Sequence, residues 1–231
     1  MSQNTSSPQP LAEGDLLIAA PQEPQQLFVI VPGASQPAAH WQALAQHIAR
    51  HFPQAVVAIV AAPPAVQGTT NMPAAVDAPR TLLRRWQAHA GLNFTRTAVV
   101  AQGQAATVAL QAAMQYEDVA ARLFALGGGL PEQAAPLSEQ TSLHCVYGQH
   151  DAGITPDGAR EIGQRLQALE ADFTLDVLPN QTVVADTPDL RQCILHRLQN
   201  HVPHRLWREA LASAAATACV PPVDEDKRQL H

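Results

Sequence analysis

The sequence is poor in aromatic residues, 4% of its 231 positions, and it holds three cysteines: Cys145, Cys193 and Cys219. They lie far apart without C-x-x-C spacing, which excludes a disulfide framework or a cysteine zinc site and reads as small buried hydrophobes in a reducing compartment. Positive charge is scarce. Lys and Arg total 14 against 20 Asp and Glu, a formal net charge of -6, and Arg84-Arg85 is the densest basic cluster. A phosphate backbone would find little to hold, so no nucleic-acid partner is expected. Nothing approaches the roughly 18 continuous apolar residues of a membrane span. Residues 1–10 are polar, with no charged start leading into an apolar core, so a cytoplasmic location is expected.

What is present is an ordinary globular composition, 46% hydrophobic and 15% charged. Residues 1–12 read as a disordered N-terminus, 13–216 as one domain and 217–231 as a flexible tail. Apolar runs alternate with helical patterns. A short edge strand is expected at 15–19, followed by buried strands at 27–31, 55–62, 97–101, 122–128, 142–148 and 173–178. Helical spacing marks 38–52, 75–90, 104–116, 157–171, 187–202 and 203–216; 63–73 reads as a loop. Asp157 is the expected N-cap of its helix, Pro188 belongs in a first turn, and Leu206, Trp207 and Leu211 are the expected packing residues of the last helix. This order predicts an α/β fold, a mostly parallel central sheet with helices on both faces.

In such sheets the ligand site lies beyond the carboxyl ends of the strands. Those ends carry Pro32-Gly33-Ala34-Ser35, Gln102-Gly103-Gln104, Gly127-Gly128-Gly129, Gly148-Gln149-His150-Asp151 and the stretch from Pro179 to Ala185. The stretch "TAVVAQGQAATVAL", Thr97 to Leu110, is built like a strand turning sharply into a helix.

These segments resemble the bacterial phospholipase/carboxylesterase branch of the α/β-hydrolase fold, serine esterases with a Ser-Asp-His triad in that chain order. The likeness runs from about Asp15 to Ala212. "QQLFVIVPG" is similar to the strand before the family's oxyanion loop, and "AVVAQGQAATVAL" to its Gly-Phe-Ser-Gln-Gly elbow. "VYGQHDAGITP" resembles its His-Gly-x-x-Asp-x-x-Val-Pro stretch, which implies that Asp151 is a triad remnant. "FTLDVL" and "RQCILHRLQNHVPHRLWREAL" match its last strand and terminal helices. In this register the nucleophile's position is Gly103, with the Ser lost. Counting back from Val202-Pro203, the family's Gly-His pair falls on Val183-Val184, so the histidine position is Val184, with the His lost. A small slip recovers neither: no Ser, Cys or Thr lies between Ala98 and Ala106, and no His between Asp151 and Arg191. The backbone amides of Ala34 and Gln104 take the oxyanion-hole positions that the resemblance implies. No cofactor and no metal is implied.

The resemblance thus implies a degenerate carboxylesterase-like protein without the attacking oxygen and its base, kept as a binding or interaction protein. A remnant pocket with two aimed amides suits a small carbonyl or carboxylate ligand. The alternative is a hydrolase of small carboxylic esters with a relocated nucleophile, Ser35 or a water activated near Asp151. A third reading is a structural partner, as a homodimer or beside an active paralogue. Other residues read blandly. Ser35 suits a turn hydroxyl, Thr107 strand–helix packing and Cys145 the core; Thr182 is a weak nucleophile candidate and His150 an unsuited stand-in imidazole. "LGGGL" at 126–130 lacks the spacing of a phosphate loop, and His196, His201 and His204 lack i, i+4 metal-ligand spacing.

Overall fold

A computed structural model of the chain describes residues 11–12, 14–33, 36–61 and 72–218. The strands are β1 (Leu16–Ala19), β2 (Gln26–Val31), β3 (Ala55–Ile59), β4 (Thr97–Gln102), β5 (Arg122–Leu126), β6 (Ser142–Gly148) and β7 (Phe173–Leu178). The helices are α1 (Gln42–His51), α2 (Met72–Ala90), α3 (Gln104–Gln115), α4 (Pro156–Ala168), α5 (Pro188–Asn200) and α6 (His204–Ala218). One sheet runs β1-β3-β2-β4-β5-β6-β7. Only β1 is antiparallel, against β3; every other neighbouring pair is parallel.

Both faces of this sheet are covered, which is why its inner strands read as unbroken apolar runs. Leu27, Val29, Val99, Ala101, Leu123 and Leu143 point to one core, with Trp86 of α2, Val108 and Ala112 of α3 and Ile162 and Leu166 of α4. Phe28, Ile30, Ala98, Val100, Phe124 and Val146 point to the other, with Leu44 and Ile48 of α1 and Ile194 and Leu198 of α5. Alternate residues of one strand therefore serve opposite cores, the period-2 consequence of the pleat.

Several boundaries differ from the sequence reading. Helix α2 starts at Met72, inside the stretch read as a loop, because Pro73 sits in the first turn, where a missing N–H costs no bond. Strand β5 stops at Leu126, since Gly127 takes a positive φ of 61° that ends the extended run. The N-cap of α4 is Thr155, whose hydroxyl accepts from the Gly158 amide, with Pro156 opening the helix; Asp157 lies in the first turn and pairs with Arg160 at 2.9 Å.

The chain forms two compact units, one ending at Asn200 and one beginning at His201. The sheet and α1–α5 belong to the first. The second contains α6, on which Leu206, Trp207 and Leu211 are 41%, 58% and 67% exposed, so these side chains are not the core anchors the sequence suggested. Among the described residues no helix is long and apolar enough to cross a membrane.

Candidate functional site

The chain moves outward from β2 to β3 in one direction and from β4 to β5 in the other, so strand order reverses between β2 and β4. The carboxyl ends of two strands that part in this way leave a crevice, the usual ligand position in open α/β sheets. On one side lie Pro32 and Gly33. On the other stand Gln102 and Gly103. Ala34 and Ser35, expected to supply an oxyanion amide and a spare hydroxyl, fall outside the described residues. A methyl group on Gly33 would run into the carboxamide of Gln102, so this largely buried side chain lies across the end of β2. The sequence reading named Gln102 only as part of the turn.

Gly103 is the corner itself. Its φ of 60° and ψ of -126° lie in a region that side-chain-bearing residues adopt only under strain. Its amide donates to the Leu126 carbonyl at 2.8 Å, and its own carbonyl accepts from Ala106 and Thr107 at 3.1 and 3.2 Å, starting α3. A Cβ added to Gly103 would meet no atom within 4 Å. The corner is therefore strained in conformation and open in space. Ala101 and Ala105 beside it are buried, and Gly128 comes so close to α3 that a methyl there would strike Ala106. Gln104 opens α3, so its amide is among the first-turn donors that no intrahelical carbonyl can take.

Asp151 stands after β6, half-buried, with both carboxylate oxygens engaged. Oδ2 accepts from the Gly148 amide at 2.6 Å and Oδ1 from the Val183 amide at 2.9 Å. Gly127, next to the carbonyl that anchors Gly103, completes the group: a Cβ there would lie 3.0 Å from Val183 Cγ2 and 3.6 Å from Asp151 Oδ2. Val183 is buried, whereas Val184 is 45% exposed. Among the described residues no hydrogen bond or ion pair links Asp151 to an imidazole. His150 has an exposed side chain, and its amide donates to the Gln181 carbonyl at 3.0 Å.

Thr182 is half-buried beside Val183, whereas Thr107 and Cys145 are occupied or buried. Thr107 Oγ1 accepts from the Gly129 amide at 2.9 Å, tying α3 to the loop after β5. Burial pushes the Cys145 thiol up to about 12, which leaves almost no thiolate at neutral pH. His196 lies near Asn200 Nδ2 at 3.2 Å on exposed helix surface. Among the described residues no cluster of three or more His, Cys, Asp or Glu side chains could hold a metal ion.

No family model matches the sequence, and no curated protein resembles it by sequence. Solved structures do resemble it. A carboxylesterase from Mesorhizobium loti superposes with a TM-score of 0.62 at 13% identity, covering 78% of this chain and 90% of that one. Esterase PE8 gives 0.61 at 17% identity, covering 81% and 97%. A phospholipase/carboxylesterase from Dyadobacter fermentans gives 0.59 at 16% identity, covering 79% and 94%. At these identities the likeness is one of architecture. With its parallel sheet, its helices on both faces and its sharp turn after β4, the chain has the α/β-hydrolase fold.

Proposed function

We propose that this protein is a carboxylesterase-like α/β-hydrolase that has given up serine-hydrolase chemistry and acts in the cytoplasm as a binding or interaction protein. The observation that carries the reading is Gly103, a residue without a side chain at a corner whose geometry is strained and whose front is open. Serine chemistry requires an oxygen nucleophile, an imidazole to take its proton and a carboxylate to orient that imidazole. In this reading Gly103 holds the place of the first and Val184 of the second. Asp151 is the third, its two oxygens turned to backbone amides in place of a ring nitrogen. Losing the serine or the histidine alone costs about 10⁶ in kcat in a serine protease.

The remnant crevice keeps the Gln104 amide, together with that of Ala34 in the same reading, as donors for a small carbonyl or carboxylate ligand. A second copy of the chain or an active paralogue is the protein partner this role allows. Labelling with a fluorophosphonate probe, combined with p-nitrophenyl acetate turnover, tests the proposal. Neither labelling nor turnover above background is expected. Labelling of one serine, Ser35 included, that disappears when that serine is mutated would overturn it in favour of a relocated nucleophile.

A further inference from the structure

We propose that a cationic pocket between α1 and the first turns of α5, apart from the elbow crevice, binds a phosphate group. The pocket has a volume of about 360 Å³, and its polar wall is made by Gln46, His47 and Arg50 of α1 and Arg191 and Gln192 of α5. Two guanidiniums, an imidazole and two carboxamides thus face one small space. No carboxylate lines it.

The two guanidiniums are only partly matched by the protein. Arg50 makes one long bond within its own helix, to the Gln46 carbonyl at 3.3 Å, and among the described residues it has no ion-pair partner. Arg191, with only 25% of its side chain exposed, forms a loose ion pair with Asp186 at 3.6 Å, too long for a hydrogen bond. Asp186 Oδ2 also accepts from the Leu44 amide at 2.8 Å, and its Oδ1 is buried without a hydrogen-bond partner. His47 Nε2 is buried and has no hydrogen-bond partner. A buried polar atom without a partner is uncommon in folded proteins, and an anion placed between the Arg50 and Arg191 guanidiniums could supply one to His47 Nε2.

The number of donors selects the kind of anion. A carboxylate offers two oxygens, which one guanidinium satisfies; donors converging from two helices suit a group with three or four oxygens spread over a tetrahedron. Burial and the neighbouring charges of His51, Arg50 and Arg191 lower the proton affinity of His47, and Asp186 partly opposes them. A bound dianion would act in the direction of Asp186. Beside the pocket a second hollow of about 440 Å³, bounded by Ile18, Gln46, Ala49 and Arg50, shares Gln46 and Arg50 with it. Its apolar wall gives room for the organic part of a phosphate monoester.

Calorimetric titration of the full chain with inorganic phosphate, phenyl phosphate and acetate, repeated on Arg50→Gln and Arg191→Gln, provides the test. Saturable phosphate binding at millimolar or lower concentration is expected, with acetate weaker and each substitution weakening binding about tenfold or more. Tighter binding of phenyl phosphate than of inorganic phosphate assigns the pocket to a phosphate ester, and equal binding assigns it to free phosphate. Arg50 is exposed and makes only its own-helix bond, so Arg50→Gln leaves the fold intact and guards against a destabilised Arg191 variant. Absence of saturable binding, or unchanged binding in Arg50→Gln at unchanged melting temperature, would overturn the proposal.

Discussion

The carboxylate of Asp151 holds the amide of Val183, 32 positions later, at 2.9 Å, while its other oxygen holds the amide of Gly148 at 2.6 Å. Both oxygens of this side chain thus serve backbone donors. Asp151→Ala is expected to lower stability by about 1–3 kcal/mol, because both amides lose their acceptor in a half-buried setting. Asp151→Asn keeps one acceptor oxygen and should lose less. Urea denaturation of the three proteins measures the difference, and an unchanged midpoint in Asp151→Ala would remove the structural role.

Glycines around the crevice separate conformational strain from collision. At Gly103 the space is open and only the positive φ opposes a side chain, so Gly103→Ser should cost about 1–3 kcal/mol, lower the melting temperature and restore no ester turnover. At Gly148 a methyl would be driven into the backbone of Gln181 and Thr182. Backbone cannot turn aside. Gly148→Ala should therefore be worse than Gly103→Ser, to the point of poor expression. A Gly103→Ser protein that melts higher than the parent would contradict the strain argument.

Two thiols, Cys145 buried and Cys193 half-buried, make a third expectation. Burial pushes both Cys145 and Cys193 up to about 12, leaving a thiolate fraction of roughly 10⁻⁴ at pH 8. In a Cys219→Ser background the native protein should react with a disulfide reagent only over hours, and at once when unfolded in guanidinium. Fast reaction of Cys145 in the native protein would show that β6 opens readily.

A pH effect follows from Asp118. The Arg80 guanidinium, and after it Arg84, hold its carboxyl below the usual carboxylate range. A depressed folded value stabilises the protein above the unfolded carboxyl range and ceases to do so as pH falls through the folded value. Asp118→Asn should thus destabilise at pH 7 and match the parent near pH 2. The pair lies at the surface, so the effect is small and fades in 1 M salt. Melting curves at both pH values check it; a larger gap in acid would reverse the sign.

Much of this was legible beforehand, for identifiable reasons. Leu27–Val31, Ala55–Ile59 and Thr97–Gln102 read as strands because both sheet faces are buried, and Trp41, Leu44 and Ile48 read as a helix face because one stripe is. The Gln-Gly-Gln corner stood out because an apolar run ends there and small residues follow. The partners of Asp151 did not, since its acceptors face backbone amides, which carry no sequence signal. Thr155 and Asp157 both flank Pro156, and only the helix start decides which of them caps. The cationic pocket was hidden altogether, because His47 and Arg50 meet Arg191 across more than half the chain.

The segment from Pro179 to Thr187 is fastened in two separated regions, through the Asn180 amide, the Gln181 carbonyl and the Val183 amide to Gln149, His150 and Asp151, and through the Asp186 carboxylate to the Leu44 amide. One set of anchors lies beside the elbow and the other anchor at the head of α1. This stretch therefore cannot swing aside as a door over the crevice unless several unrelated fastenings give way together, and its amide protons should exchange with those of the sheet edge instead of as a separately opening flap.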